Sequence, residues 1–326
     1  MGVLQPTFRD LIAENKRNSV LLVLIFCLFV VAIILAISLG LTAWLAPNFV
    51  AQLDWTEGLL VGGGAALFAF LLAMFGYYQG DQFILSVSGA REIQHRDDPE
   101  LFNVVEEMAI AAGIPMPKVY VINDPAPNAF ATGRDPKHAA VTVTTGLRQM
   151  MNRDELQGVI AHEMSHIRNY DIRLMMLMAV LVGTVVMLSD FFWQIISNTR
   201  GGSGSGSSSK DDGKGGAILV IALVVVAILL SIIAPILAQL IQLAVSRQRE
   251  YLADASGVEL TRNPLGLASA LGKIDHDQHT LASANRGTAH LFIANPIKKF
   301  EDRANSIWAS HPPIGDRIQR LEALVH

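Results

Sequence analysis

One cysteine, Cys27, stands in 326 residues. That excludes a disulfide framework and a cysteine-based zinc site, so any metal must be held by histidine and carboxylate. Charge is scarce as well: Asp, Glu, Lys and Arg make up 17% of the chain against 51% hydrophobic residues, and mean hydropathy is +0.38. A net charge of -4 lacks the basic surplus of a nucleic-acid binder, so no nucleic-acid partner is expected. The apolar excess is not spread evenly. It sits in blocks that hold no charge at all, as membrane spans do.

From Asn18 to Leu53 there is no charged residue, and Val20 to Leu45 is dominated by Leu, Val, Ile, Phe and Ala. This run is too long for a signal-peptide core of about 7–15 residues and exceeds the roughly 20 needed to span a bilayer. The connector 46–57 has no Lys or Arg. A second uncharged block runs from Gly58 to Gly80; its Gly62-Gly63-Gly64 run predicts close helix packing, and Tyr77 and Tyr78 suit an interface. Leu174 to Leu188 is a third block and Ala217 to Val245 a fourth, with Pro235 as a kink. Between them, 201–216 is Gly/Ser-rich and reads as a flexible loop. The Lys/Arg-free connector predicts the outside, and the basic segments predict the cytoplasmic side.

The expected organisation follows: a cytoplasmic tail (1–18), two spans (19–80), a cytoplasmic domain (81–173), two more spans (174–245), and a cytoplasmic C-terminal part (246–326). Within 81–173, Pro99 to Ala112 has helical periodicity, whereas Lys118 to Ile122 and Ala139 to Thr144 are β-branched and strand-like.

Ala161-His162-Glu163-Met164-Ser165-His166 is an HExxH sequence on an expected helix, with Asn152 and Glu155 as its capping box. Four-residue spacing puts both imidazoles on one face, where they can hand two nitrogens to one zinc ion while Glu163 stands beside it as a proton acceptor. A catalytic zinc wants a third protein ligand, here His, Asp or Glu. Glu250 and Asp254, one turn apart after the fourth block, can supply a ligand and a carboxylate behind a ligand histidine; they read equally as a solvated pair beside Arg247 and Arg249. Asp171 is open between support of the site and a surface partner for Arg168 or Arg173. His276 and His279 read as surface residues. Polar residues flank HExxH on both sides, which places it at a membrane surface rather than inside a span.

Taken together, His162-Glu163-xx-His166, Glu250-Tyr-Leu-Ala-Asp254, Asn128-Ala129-Phe130 and His311-Pro-Pro-Ile-xx-Arg317 resemble the HtpX family of membrane zinc proteases, which is related to the CAAX prenyl proteases. The resemblance covers nearly the whole chain. It implies an α-helical membrane protein with four transmembrane helices and a mostly α, α+β, zincin-like cytoplasmic protease domain. It implies a bacterial or archaeal cytoplasmic-membrane endopeptidase with its site facing the cytoplasm, acting on damaged or misassembled membrane proteins and unfolded proteins in stress-linked quality control. Carried over by position, one Zn2+ per chain would be held by His162, His166 and Glu250, with Glu163 as general base and Asp254 behind a ligand. Asn128, Ala129, Phe130 and Ala131 match the family's substrate-side edge strand; His311 and Arg317 match its late His and Arg near the metal, where either can donate to a developing oxyanion. The competing expectation is a non-catalytic zinc-containing membrane scaffold or holdase, against which the intact Glu163 argues.

Overall fold

The computed structural model describes residues 8–45, 55–181, 183, 194, 247–281, 288–294 and 312–325. The chain forms two compact units, one of Met1–Val20, Gly76–Val180 and Ile241–His326, the other of Leu21–Phe75 and Leu181–Leu240.

Among the described residues, two helices are long and apolar enough to cross a membrane: Phe8–Leu45, through its stretch Ile12–Ala32, and Trp55–Val87, through Leu59–Val87. They are not core helices. Leu24, Leu28, Leu59, Leu60, Phe68 and Leu71 are all exposed, a surface that suits lipid rather than water. On the second helix, Ala65, Ala69 and Ala73 recur at four-residue spacing and form its buried stripe. Among the described residues the glycine run meets little. A Cβ at Gly63 or Gly64 would meet nothing within 4 Å among the described residues, and one at Gly62 only reaches Leu35 at 4.0 Å. The second helix also runs on past Gly80 to Val87, because Asp81 and Gln82 change the composition without breaking the backbone pattern. Of the third block, residues 174–181, continuing a helix begun at 171, and residue 183 are described as helical; the block's other residues, the 201–216 loop and all of the fourth block lie outside the described residues.

The first unit carries a four-stranded sheet in the order β1-β2-β4-β3, with β1 Arg91–Glu92, β2 Lys118–Ile122, β3 Ala129–Gly133 and β4 Ala139–Thr144. β2 and β4 pair in parallel; β1 and β3 flank them antiparallel. One face, with Val119, Ala129, Ala131, Val141 and Val143, packs on the helix Pro99–Ala112 and the HExxH helix Arg153–Arg168. The HExxH helix starts where its sequence signals: Asn152 Oδ1 accepts the Glu155 amide at 2.9 Å and Glu155 Oε2 accepts the Asn152 amide at 2.9 Å. Glu155 is buried, and Lys273 Nζ (2.7 Å) and Ser269 Oγ (2.6 Å) from the helix Pro264–His276 satisfy its carboxylate. Desolvation opposes its charge, but these bonds outweigh burial and hold the carboxyl below its ordinary value.

Helix contact with the HExxH helix is made at backbone distance. A Cβ on Gly158 would lie 2.7 Å from the Leu267 amide nitrogen, and one on Gly257 would lie 3.2 Å from the His162 amide nitrogen. Gly257 belongs to the helix Arg247–Thr261 that carries Glu250, so the absence of a side chain there sets how near that helix comes to the first histidine.

Candidate metal centre

Both HExxH histidines are buried, with their rings edge to face at 4.7 Å. Their Nε2 atoms lie 3.1 Å apart. Glu250 joins them from its own helix, with Oε2 3.7 Å from His162 Nε2 and Oε1 3.6 Å from His166 Nε2. The three ligand atoms fall within 4.8 Å of one another. Two ligands of one tetrahedral zinc, each about 2.1 Å from the ion, stand about 3.4 Å apart, which these separations fit.

The far side of each ring is tied down. His162 Nδ1 donates to Asp254 Oδ1 at 2.9 Å, and His166 Nδ1 donates to Asp171 Oδ2 at 3.0 Å. With Nδ1 used as donor in both rings, the two Nε2 atoms turn lone pairs towards each other and towards a carboxylate. Such an arrangement calls for a positive charge among them, either a proton or a metal ion. The surrounding groups express the same demand. Desolvation pulls the His166 imidazole down, but the Asp171 hydrogen bond and the Glu250 carboxylate overcome it and lift His166 to about 9. His162 is held below its ordinary value, chiefly by burial.

Glu163 is buried beside this cluster and accepts a hydrogen bond from the Ala131 amide. Burial, reinforced by the neighbouring Glu250 carboxylate, raises its carboxyl to about 7. A carboxyl that changes charge near neutral pH is suited to exchanging protons with a reactant.

Arg317, on the helix Ile314–Glu322, is fully buried behind His162. Its Nε and Nη2 form a fork on Asp254 at 2.9 and 2.7 Å, and Nη1 donates to the Ile293 carbonyl at 2.9 Å. Nη1 also stands 3.7 Å from Glu250 Oε2. Its hydrogen bonds are therefore made to Asp254 and the Ile293 carbonyl, with Nη1 beside the Glu250 carboxylate of the cluster. Burial disfavours the charge on both partners, yet their mutual attraction prevails: Asp254 is held below its ordinary value and Arg317 above.

β3 is the edge strand next to Glu163, but its outer edge already has neighbours. The Asn128 side chain accepts the Ala129 amide at 3.1 Å and donates to the Ala294 carbonyl at 3.1 Å. The Ala129 carbonyl accepts the Ile293 amide at 2.9 Å, and Phe292 stacks edge to face on Phe130 with centroids 5.0 Å apart. This 288–294 segment has no signal in the sequence, because its hold on β3 is largely main chain. Asp171, left open by sequence, does face His166: the chain turns at Tyr170 (φ 62) straight after the HExxH helix and carries the carboxylate back to it. His311 lies outside the described residues.

A buried pair of histidines four apart on a helix, a glutamate from a second helix and a carboxyl alongside define a metallopeptidase. Residues 95–325 match Peptidase family M48, and the chain belongs to that family. It is similar to curated relatives described as protease HtpX homologs. That of Caldanaerobacter subterraneus subsp. tengcongensis is 46% identical over 323 residues, covering 98% of each chain. That of Lactobacillus helveticus is 43% identical over 313 residues, covering 96% of this chain and 98% of the relative. Among solved structures, S. mikatae Ste24p overlaps at a TM-score of 0.45 with 19% identity, covering 96% of this chain and 67% of that one, too loose a likeness to bear on function. The chain is a membrane-bound metalloprotease with a site for a metal ion.

Proposed function

We propose that the chain is a zinc-dependent endopeptidase of the bacterial or archaeal cytoplasmic membrane that cuts damaged or misassembled membrane proteins in quality control. The observation that carries this reading is the convergence of His162, His166 and Glu250 within 4.8 Å beside a buried Glu163. Two imidazoles and one carboxylate favour zinc over the harder cations, which prefer all-oxygen sites. When bound there, zinc supplies an acidified water and a polarised peptide carbonyl. Glu163 takes the proton from the attacking water and returns it to the leaving amine. Its carboxyl, lifted by burial, is basic enough for the first transfer and acidic enough for the second. Asp254 and Asp171 fix the two rings with Nε2 facing inwards.

Of the two candidate oxyanion donors, His311 and Arg317, the latter is bonded to Asp254 and through Asp254 supports His162. We assign positioning to Arg317 on those bonds, which leaves His311 as the candidate to donate to the reacting carbonyl oxygen. Extended peptide docks along β3 at Asn128–Ala131, exchanging with Ile293 at the Ala129 carbonyl. Four spans, with the 201–216 loop outside and the site facing the cytoplasm, return Glu250 to the same face as HExxH. The exposed apolar surfaces of the two described long helices and the Lys/Arg-free 46–57 connector support that topology. A non-catalytic scaffold is not favoured, since nothing in such a role needs Glu163.

The test is Glu163→Gln in purified, detergent-solubilised protein. It should retain zinc and lose most hydrolysis of an unfolded substrate. Cleavage at the wild-type rate would show that Glu163 is not the base.

A further inference from the structure

The two oxygens of Asp171 face different parts of the chain. Oδ2 accepts His166 Nδ1; Oδ1 accepts the side-chain amide of Asn15 at 2.6 Å. Asn15 belongs to the first long helix, three residues into its apolar stretch Ile12–Ala32. It is 2% exposed, and it also donates to the main-chain carbonyl of Asn169, the residue that caps the HExxH helix, at 2.9 Å. Both amide hydrogens are thereby spent on the end of the HExxH helix. Neighbouring contacts seat the same turn: Ser19 Oγ donates to the Asn15 carbonyl at 2.8 Å, and Lys16 Nζ lies 4.4 Å from the centre of the Tyr170 ring. Arg249 comes no nearer to Asp171 Oδ1 than 3.9 Å.

We propose that Asn15 is a positioning residue for the metal centre, so that the first membrane-type helix sets metal affinity through Asp171 and His166. This rests on the reading of His166 as a ligand. A carboxylate bound only to an imidazole can rotate about its own side chain and let the ring turn with it. The Asn15 bond fixes that rotation from the opposite oxygen and leaves Oδ2 aimed at Nδ1. Buried amide hydrogens are costly unless satisfied, and both acceptors that satisfy those of Asn15 belong to the HExxH region.

The experiment uses the full chain in detergent and measures zinc affinity by competition with a chromogenic chelator. Asn15→Ala, and Asn15→Leu, which keeps the volume, should each weaken zinc by about 10–100-fold, as should Asp171→Ala. Asn18→Ala, on the same helix but bonded to Glu14 alone among the described residues, should leave affinity unchanged. In Asp171→Ala protein, adding Asn15→Leu should weaken zinc no further, since the path through Asp171 is already gone. A purely structural role predicts additive losses instead, and that result overturns the proposal, as do Asn15 variants within twofold of wild type. Wild-type affinity in His166→Ala would overturn the ligand assignment along with it. Zinc lost in His166→Ala but kept in both Asn15 variants would overturn the role of Asn15 alone.

Discussion

Replacing Arg317 separates two roles that predict opposite results. If its guanidinium donated to the reacting carbonyl, Arg317→Leu would keep zinc and lose about 10²–10³ in kcat, the scale of a missing oxyanion donor. The structure argues for the other outcome. Arg317 and Asp254 are 0% and 4% exposed, and removing the guanidinium strips both carboxylate oxygens of their charged partner, leaving His162 Nδ1 to hold a buried charge alone. Breaking such a pair costs about 3–5 kcal/mol. Part of that appears as lost fold stability and part as a freer His162 ring, so zinc affinity should fall by about 10–100-fold. Arg317→Lys keeps charge but not the fork and should recover only part of the loss. Arg317→Leu with Asp254→Leu removes both charges and should regain thermal stability over Arg317→Leu alone while remaining weak for zinc. The assays are chelator competition, thermal unfolding, and kcat at saturating zinc. Full zinc affinity in Arg317→Leu with a collapsed kcat refutes the positioning role and restores Arg317 to the reaction.

Gly257→Ala puts a methyl 3.2 Å from the His162 backbone, so the Glu250 helix must shift; zinc affinity and melting temperature should both fall, by about 1–3 kcal/mol in stability, and an unchanged melt would show that the helix contact yields freely. Phe292→Ala loosens the segment on β3 and should lower KM for an extended peptide if docking exchanges with Ile293; a raised KM in steady-state assays would mean that the segment forms part of the binding surface. Lys273→Met acts through Glu155. Because that carboxyl is depressed in the folded protein, its contribution to stability is present above its unfolded value near about 4.3 and is lost as pH falls through the folded value. Without Lys273 the folded value rises, so acid unfolding followed by circular dichroism should begin at higher pH; an unmoved transition would assign the depression to Ser269 and Asn152. Chelation should abolish hydrolysis and added zinc restore it, and hydrolysis that survives metal removal would contradict a metal-dependent step.

Legibility in the sequence followed the range of the interaction. The HExxH helix was readable with its capping box because everything that defines it lies within fifteen residues, Asn152 to His166. Glu250 and Asp254 carried the right spacing but equally suited a solvated turn, since what decides between those readings is the backbone approach at Gly257. Asp171 stayed undecided because its direction depends on one left-handed residue, Tyr170, whose side chain announces nothing of the sort. Asn15 could not be found at all: an asparagine at the edge of an apolar run looks like the end of a span, and its partners lie more than 150 positions away. The second helix's extension to Val87 was missed because composition was taken to mark a boundary that the backbone does not observe.

The site's parts leave the ribosome in a set order. Asn15 emerges before the HExxH helix, Glu250 after it, and Arg317 later still. At about 5–20 residues per second, the roughly 150 residues from His166 to Arg317 take about 8–30 s to make. For that interval the nascent chain has both histidines and Glu163, gains Glu250 and Asp254 part-way, and lacks the arginine that locks Asp254 behind His162. Until Arg317 is made the Asp254 carboxylate lacks its charged fork, so the support behind His162 is completed well after the HExxH helix itself.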